Sequence, residues 1–526
     1  MGALKSLDAR NSDVAADIEA DVCIVGAGAA GITLARCLGD RAGRILLVES
    51  GGMQSSAESQ LLYSDPQAGL PYLPLAACRL RYFGGSTNHW AGYCRLNQPL
   101  DYAPREDLGI PGWPVDVVTL EAYLLQAHRD LGLGPEMAFD PAGVARNIGV
   151  SPGDLVERHS AALRTPVSRV VANCRFATRF AAALAERRNL LILLNASVVG
   201  LELDAAGRRV AGARIRTTNG RQIGVRARRF VICCHAIENA RLLLASNETK
   251  PEGLGNHHGH VGRYFMEHPA VVSGILIPST ELPLMYDAAQ MLARGLDFNV
   301  GLSAERSRHE RVLQYFCRFW PVRSSDTVRH ALGRLADGFW RPADLQLLTS
   351  MGVVAKNIPE AARLALERMR VTTPVRTAYQ LEHRIEQAAN PDSRVTLSDE
   401  RDALGSRRAC LTWKLTDIDY RTFAVGQDVT VRELSALGFG RFQAPALTPE
   451  LIDRNVEGRN HHIGTTRMSA APEGGVVDAN CRVHDLDNLY VAGSSIFPSA
   501  GDGSPTLLLT AFAMRLADHL TSLGTA

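Results

Sequence analysis

A glycine-rich hexapeptide near the amino terminus constrains the fold of this chain more than any other feature. Residues 26–31 read GAGAAG and match the pattern G-x-G-x-x-G. The apolar run 22–25 before it suits a buried parallel strand, and residues 30–38 after it have helical spacing and end at a glycine. Residues 45–48 supply a second apolar strand. The sequence therefore predicts a βαβ unit across residues 21–52.

A βαβ unit with this loop is typical of dinucleotide binding. The first glycine permits the turn, the second lets a pyrophosphate approach the backbone, and the third permits close packing of the helix. Unpaired N–H groups at the start of the helix favour the phosphates. Glu49 ends the second strand, where a carboxylate accepts hydrogen bonds from ribose hydroxyls and disfavours a 2′-phosphate. The pattern predicts FAD or NAD and does not separate the two.

Length and composition are those of a soluble enzyme with two or three domains. The chain has 526 residues, 46% of them apolar and 21% charged, and a net charge of +2, which gives no reason to expect nucleic acid as a partner. The amino terminus lacks the features of a secretory signal, and no run approaches the ~20 apolar residues of a transmembrane segment. The ten cysteines are scattered. We therefore expect a cytoplasmic protein with reduced thiols and no transmembrane segment.

The rest of the chain divides into two regions of different character. Residues 191–245 show short alternating runs separated by turn sequences at 204–207 and 219–220, then an apolar strand at 230–234 and a helical pattern at 237–245. From about 269 to 450 glycine-rich signatures disappear, and amphipathic helical patterns such as 358–369 take their place. The sequence predicts an α/β fold with a second, substrate-facing domain.

Several short segments extend the glycine-rich motif into a family pattern. They are residues 81–90 (RYFGGSTNHW), 237–241 (IENAR), 261–269 (VGRYFMEHP), 390–398, 461–465 (HHIGT) and 489–520. In this order they make the chain resemble the glucose-methanol-choline (GMC) family of FAD-dependent oxidoreductases. Residues 270–380 carry none of these motifs, so the resemblance does not identify the substrate.

The resemblance implies FAD as the cofactor and a GMC-like two-domain fold. A Rossmann-type FAD-binding domain would comprise residues 18–105, 190–268 and 455–526, and an α+β substrate-binding domain with connecting segments would comprise 106–189 and 269–454. The expected cofactor-binding residues are Gly26, Gly28, Ala29, Ala30, Gly31, Glu49, Ser50, Gly84, Gly85, Ser86, Thr87, Asn88, His89, Trp90, Val198, Gly493, Ser494, Pro505 and Thr506.

The resemblance also implies a catalytic histidine. In the H-x-x-G-T spacing His461 falls on that position, as the general base that takes the hydroxyl proton while a hydride passes to flavin N5. Histidine suits this role because its unperturbed pKa of about 6.5 lies near working pH. In the alternative interpretation His462 is the base and His461 is structural. Reduced flavin would be reoxidised by oxygen or another acceptor.

Ser504 departs from the family pattern. Relatives pair the histidine with a second histidine or an asparagine, and the matching position here is Ser504. A serine before Pro505 is also a typical N-cap of the helix predicted at 506–520, so we expect Ser504 to cap the helix, to act in catalysis, or to do both. The start of this helix would stabilise negative charge on reduced flavin.

His89 and a few other histidines and cysteines leave further roles open. In some relatives a histidine in the loop that matches His89 bonds covalently to the flavin, whereas the alternative is a hydrogen bond near the ring. Cys233, Cys234 and His235 are consecutive, which is poor spacing for one metal ion, and we expect no metal site.

The expected substrate is a small-molecule alcohol. Seven aromatic residues suggest an aromatic or glycosidic one, although such residues more often belong to the core: Tyr286, Tyr315, Phe316, Phe319, Trp320, Phe339 and Trp340. Two other functions fit parts of the pattern. A flavin-dependent lyase, isomerase or decarboxylase would keep the fold without the alcohol chemistry, and a redox-silent nucleotide-binding module would need no catalytic histidine.

Overall fold

The computed structural model describes residues 4–133, 139–171, 173–322 and 378–524. Its strands are β1 Ser6–Asp8, β2 Asp17–Val25, β3 Ile45–Val48, β4 Gln67–Gly69, β5 Tyr93–Cys94, β6 Leu163–Arg164, β7 Val167–Val170, β8 Leu190–Leu194, β9 Ser197–Leu203, β10 Val210–Arg216, β11 Gln222–Ile232, β12 Ala270–Pro278, β13 Leu296–Phe298, β14 Val300–Leu302, β15 Tyr315–Val322, β16 Ala378–Ile385, β17 Arg394–Arg401, β18 Arg407–Trp413, β19 Gly440–Gln443 and β20 Leu489–Val491.

The α-helices of the same residues are α1 Ala29–Leu38, α2 Ala57–Gln60, α3 Leu75–Cys78, α4 Pro99–Tyr102, α5 Val117–Leu131, α6 Pro141–Asn147, α7 Phe176–Arg179, α8 Ala181–Ala185, α9 His235–Ala245, α10 Ala288–Leu292, α11 Ala304–Glu310, α12 Asp417–Ala436, α13 Pro449–Asn455 and α14 Pro505–Ser522.

The first sheet has the strand order β1-β8-β3-β2-β11-β10-β9, and β20 pairs with the last residues of β11. The strands β1, β8, β3, β2, β11 and β20 run parallel, whereas β9 and β10 are antiparallel to their neighbours. Because parallel strands end at the same edge, the carboxyl ends of β2, β3, β11 and β20 meet there. In open α/β sheets this edge is where ligands bind.

The βαβ prediction is confirmed. Strand β3 has the predicted bounds, and α1 begins one residue earlier than expected. Strand β2 is longer than predicted because its first residues, which alternate between exposed and half-buried, pair with the outer half of β11. The turns predicted at 204–207 and 219–220 join β9 to β10 and β10 to β11.

A second sheet of six antiparallel strands, β19-β12-β16-β15-β14-β6, lies in the middle of the chain. The helix α12 packs on β14, β15 and β16. The two sheets confirm the α/β fold with a second α+β unit, and the boundaries between the units stay a prediction. The helical pattern at 358–369 lies outside the described residues.

The carboxyl-terminal helix α14 packs against α1 and α5, so it closes the first unit beside the βαβ helix. The apolar side chains of Leu507, Leu508, Phe512 and Leu516 on this helix are buried. Over the described ranges, none of the helices combines the length and the apolar character that crossing a membrane requires.

The glycines of the hexapeptide yield a prediction about stability. A Cβ at Gly31 would overlap the backbone carbonyl of Gly26, whereas a Cβ at Gly28 would meet no atom within 4 Å. We expect Gly31→Ala to destabilise the apoprotein by about 1–3 kcal/mol, as overpacked sites do. The matched variant Gly28→Ala places a poorer residue at the N-cap of α1, so it should lose less stability than Gly31→Ala but bind FAD weakly. Equal unfolding temperatures for the two apoprotein variants, measured by differential scanning calorimetry, would contradict this account.

Candidate active site

A cavity opens at the carboxyl edge of the first sheet, where β2, β3, β11 and β20 end. Its volume of about 520 Å³ is in the usual range for small-ligand sites. The first residues of α1 and α14 also line it. Because the first turn of a helix leaves backbone N–H groups unpaired, both helix starts favour negatively charged ligand groups.

Most of the predicted cofactor-binding residues line this cavity. They are Gly26, Gly28, Ala29, Ala30, Glu49, Ser50, Gly85, Ser86, Thr87, His89, Trp90, Val198, Gly493, Ser494, Pro505 and Thr506. A Cβ at Gly28 or Gly493 would meet nothing within 4 Å, so the backbone leaves open space of the kind that a dinucleotide needs. The residues present therefore fit FAD, although the contact that each one makes stays a prediction.

Three predicted cofactor-binding residues do not line the cavity. Gly31 faces the carbonyl of Gly26 and permits close packing beneath the helix. Gly84 adopts a left-handed conformation with φ of 96°, and the amide of Asn88 donates to the carbonyl of Phe83 over 2.9 Å. Direct cofactor contact stays a prediction for these three residues, which shape the loops behind the cavity.

Glu49 lies at the end of β3 and is almost fully buried. Its two carboxylate oxygens accept hydrogen bonds from the backbone N–H groups of Ala27 and Gly51, both over 2.9 Å. Burial raises the pKa of the carboxyl, and these two hydrogen bonds oppose the rise. Each oxygen keeps a further lone pair, so Glu49 can also accept from ribose hydroxyls.

The loop that contains His89 is held from behind by Arg175. This guanidinium donates to the carbonyl oxygens of Thr87 over 3.1 Å and of Trp90 over 2.8 Å. The His89 ring lines the cavity and forms no hydrogen bond with any residue that the structure describes. Burial, together with Arg175, lowers its pKa. An uncommitted, neutral ring fits both roles expected for His89.

The tautomer of His461 follows from a chain of hydrogen bonds. His268 Nε2 lies 2.8 Å from the carbonyl oxygen of Gly501, so Nε2 carries the proton because a carbonyl can only accept. The neutral His268 ring then has a lone pair on Nδ1. His461 Nδ1 lies 2.9 Å from this atom and must donate to it. The proton of His461 therefore sits on Nδ1, and Nε2 keeps a lone pair.

The imidazole rings of His268 and His461 are both neutral near pH 7. Burial lowers the pKa of His268 to about 4. Burial, followed by the neighbouring His268, holds the pKa of His461 well below its usual value. His461 lines the cavity and is only half-buried, so its ring is available to a ligand as a hydrogen-bond acceptor.

A second chain of hydrogen bonds runs through His462. Tyr72 donates its hydroxyl proton to Glu267, and His462 Nε2 lies 2.6 Å from the Tyr72 oxygen. His462 Nε2–H is then the donor to Tyr72, so His462 Nδ1 accepts from His235 Nε2 over 2.9 Å. Both nitrogens of His462 are thus committed, and the ring is 1% exposed. Unlike His461, His462 has no lone pair left for a substrate.

Ser504 occupies the N-cap position of α14, and Pro505 is the first helical residue, as predicted. The capping hydrogen bond itself was wrongly expected. The Ser504 side chain accepts no hydrogen bond from the helix and makes none with other residues of the described ranges. It lines the same cavity as His461, so its hydroxyl remains free to contact a ligand.

Several residues of the site were not singled out from the sequence. Glu267 and His268 lie inside the segment 261–269, but no residue spacing in the sequence indicates a role for them. His235, considered there only as a metal ligand, instead bonds to His462, and it adopts a left-handed φ of 77° that is unusual for a side-chain-bearing residue. Arg384 and Arg459 also line the cavity without any sequence signal.

The aromatic residues expected at a substrate pocket mostly lie elsewhere. None of the described ones lines the cavity: Tyr286, Tyr315, Phe316, Phe319 and Trp320. Tyr286 and Tyr315 are fully buried and hydrogen-bonded, and they belong to the core. Among the described residues, the tyrosines and tryptophans that do line the cavity are Tyr63, Trp90 and Tyr93. Phe339 and Trp340 lie outside the described residues.

Comparison with known proteins agrees with this geometry. Residues 21–266 match the family described as FAD dependent oxidoreductase, and residues 389–513 match the one described as GMC oxidoreductase. The fructose dehydrogenase large subunit of Gluconobacter japonicus is 24% identical over 96% of this chain and 98% of that protein. The 6'''-hydroxyparomomycin C oxidase of Streptomyces lividus is 25% identical over 95% of this chain and 92% of that oxidase.

A solved structure shares the fold. The pyridoxine 4-oxidase from Mesorbium loti is 20% identical, with a TM-score of 0.56 over 95% of this chain and 99% of that one. The dinucleotide cavity and the two-unit architecture thus define an FAD-dependent oxidoreductase. Within that class, residues 389–513 match the GMC oxidoreductase family.

The free hydroxyl of Ser504 predicts that its removal leaves stability unchanged. We expect Ser504→Ala to unfold within a few tenths of a kcal/mol of the parent, below the ~1 kcal/mol typical of a lost cap. Ser303→Ala is the matched control, because Ser303 caps α11 by accepting from the Arg306 N–H over 3.2 Å. Denaturant unfolding should show a loss for Ser303→Ala alone. A loss of about 1 kcal/mol in Ser504→Ala would mean that Ser504 does cap the helix.

Proposed function

We propose that this protein oxidises a small alcohol and that Nε2 of His461 is the general base. The observation that carries the proposal is the pair of hydrogen bonds from Gly501 through His268 to His461, which sets the tautomer of His461. When bound, FAD supplies the flavin N5 that accepts the hydride. The chain's own contribution is to hold the alcohol and to take its proton.

His461 Nε2 has the lone pair that a base needs, and His461 lines the cavity. As the hydroxyl proton moves to Nε2, His461 becomes positively charged, and its Nδ1–H donor keeps its contact with His268. His268 therefore orients the ring and does not exchange protons with the substrate. This division favours His461 over His462, whose nitrogens are both committed to His235 and Tyr72.

The hydroxyl of Ser504 lies in the same cavity and supplies a hydrogen bond to the alcohol oxygen in this proposal. Serine can donate and accept, so it can follow the oxygen as its proton leaves. It replaces the histidine or asparagine of the resembled pattern with a shorter group, which leaves more room beside His461.

The relatives support an oxygen-rich substrate, because one of them is named for fructose. An aromatic alcohol or a glycoside remains within the proposal, since Trp90 and Tyr93 offer ring faces in the cavity. A reducing, cytoplasmic setting is also part of it. All ten cysteines are free, and seven of them are buried, which fits a compartment where disulfides are rare.

Substitution of the two adjacent histidines tests which of them is the base. We expect His461→Ala to retain FAD and to slow anaerobic flavin reduction by about 10²–10⁴-fold, as loss of a general base typically does. His462→Ala removes a neighbouring buried ring and should weaken folding or cofactor binding more than it slows the bound flavin's reduction. A larger rate loss in His462→Ala at full FAD occupancy would transfer the role to His462.

The same proposal predicts a pH profile. Because the pKa of His461 is held well below its usual value, the neutral, active form persists as the pH falls through the value of about 6.5 for free histidine. The flavin reduction rate should therefore stay level across that pH and decline only under more acidic conditions. A midpoint near 6.5 in stopped-flow measurements would show that the base is a solvated histidine instead.

A further prediction concerns covalent attachment of FAD through His89. If the ring bonds to the flavin, acid precipitation leaves the yellow colour in the protein pellet, and His89→Ala releases it to the supernatant. The control variant is His159→Ala. His159 is exposed, and its Nε2 contacts the carbonyl oxygen of Gly153. A colourless pellet from the parent protein would show that His89 only contacts the cofactor.

A further inference from the structure

Two arginines form part of the cavity beside His461, and we refer to Arg384 and Arg459 as the arginine pair. Arg459 precedes His461 by two residues, and Arg384 lies on β16 of the second sheet. The backbone N–H groups of Arg459 and His461 both donate to one oxygen of Glu267, over 3.1 and 3.0 Å. Arg459 and the proposed base are therefore held by the same carboxylate oxygen.

Both members of the arginine pair use the same carboxylate oxygen. Arg384 Nε donates to Glu382 Oε1 over 2.8 Å, and Arg459 Nη2 donates to the same atom over 2.7 Å. The other oxygen of Glu382 accepts from the Trp320 indole over 2.6 Å and lies 3.5 Å from Arg318 Nη1. One carboxylate thus serves three guanidinium groups.

The charges around Glu382 do not balance within the described part of the chain. Arg318, Arg384 and Arg459 carry three positive charges, and Glu382 and Asp297 carry two negative ones. Glu457 also contacts Arg459, but its side chain is 67% exposed and its charge is screened by water.

The pKa values agree with an excess of positive charge. Burial would raise the pKa of Glu382, yet the guanidinium groups around it, with Arg384 foremost, lower that pKa to about 2. Burial, together with Arg318, lowers the pKa of Arg384 to about 10. A positive charge that lacks its own partner in a buried site is costly, and an anion that binds there removes the cost.

Arg384 has N–H donors that make no hydrogen bond with a described residue. A guanidinium carries five N–H donors in a plane. In the Arg384 side chain, Nε donates to Glu382, and Nη2 lies 2.7 Å from Glu382 in an ion pair. The side chain is 15% exposed, and it borders the cavity. Arg459 Nε is buried without a hydrogen-bond partner among the described residues.

We propose that the arginine pair binds the anionic group of the substrate, so that the alcohol oxidised at His461 also carries a carboxylate or a phosphate. Planar guanidinium donors match both of these anions. This inference rests on the proposed function, because it names the class of alcohol. It places the anion close to the carbinol, since Arg459 and His461 share one loop.

The test compares anions with a neutral analogue on the FAD-loaded protein. Benzoate, phenyl phosphate and benzamide cannot be oxidised as alcohols, and their binding is followed by the flavin difference spectrum and by the unfolding temperature. We expect an anion to bind more tightly than benzamide, and Arg384→Gln to weaken that anion by about tenfold to hundredfold, as loss of a charge-assisted hydrogen bond does. Benzamide binding should stay within twofold of the parent.

Control variants separate anion binding from other effects. Arg384→Lys keeps the charge and should retain part of the preference, and Arg421→Gln, on the exposed side of α12, should change nothing. The stronger of benzoate and phenyl phosphate identifies the anionic group. If no anion binds more tightly than benzamide, or if Arg384→Gln weakens benzamide equally, the proposal is wrong.

A turnover experiment distinguishes failure of this proposal from failure of the proposed function. Flavin reduction by 4-(hydroxymethyl)benzoate is compared with reduction by 4-methylbenzyl alcohol. We expect the charged alcohol to have the lower KM, and Arg384→Gln to raise its KM with little change in kcat. Equal reduction by both alcohols would overturn anion selection while leaving alcohol oxidation intact. Reduction by neither, with anion binding retained, would count against the proposed function alone.

Discussion

The buried carboxylate of Glu267 connects the parts of the candidate active site. It accepts hydrogen bonds from the hydroxyl of Tyr72 and from the backbone N–H groups of His268, Arg459 and His461. An isolated carboxylate in a protein interior costs several kcal/mol, and filling its lone pairs offsets that cost. The loop before His461 is therefore most stable in the one shape that presents these N–H groups to Glu267.

This constraint has a different consequence for each of the two adjacent histidines. The hydrogen bonds from Gly501 through His268 set the tautomer of His461, which keeps a lone pair on Nε2 and lines the cavity. His462 instead connects Tyr72 to His235. The first sheet supplies the cofactor cavity, and the second sheet supplies Arg384 and Glu382, so the alcohol would be held where the two units meet.

The sequence predicted the parts of this protein that depend on neighbouring residues. The βαβ unit, the two hairpin turns and the start of α14 at Pro505 follow from local patterns of apolar residues, glycine and proline. Residues of the short motifs 81–90 and 461–465 line the cavity, as do most of the residues expected near the cofactor.

The remaining features depend on contacts between distant segments, which no local pattern encodes. Glu267 reaches Tyr72 across 195 positions of the chain, and His235 reaches His462 across 227. The excess positive charge near Glu382 appears only when β15, β16 and the loop before His461 are brought together. The aromatic residues of β15 were expected near the substrate because an aromatic ring suits both a pocket and a core. They do not line the cavity, and Tyr315, Phe316 and Phe319 are buried in the core.

The central claim is that a carbinol hydrogen leaves as hydride to the flavin while His461 takes the hydroxyl proton. The most direct measurement is anaerobic flavin reduction by the fastest alcohol of a panel of sugars and benzylic alcohols, with hydrogen or deuterium on the carbinol carbon. The account predicts that deuterium slows the loss of the visible flavin band severalfold and that one carbonyl product forms for each flavin reduced. Product formed while the flavin stays oxidised, or bleaching without a carbonyl product, would contradict it.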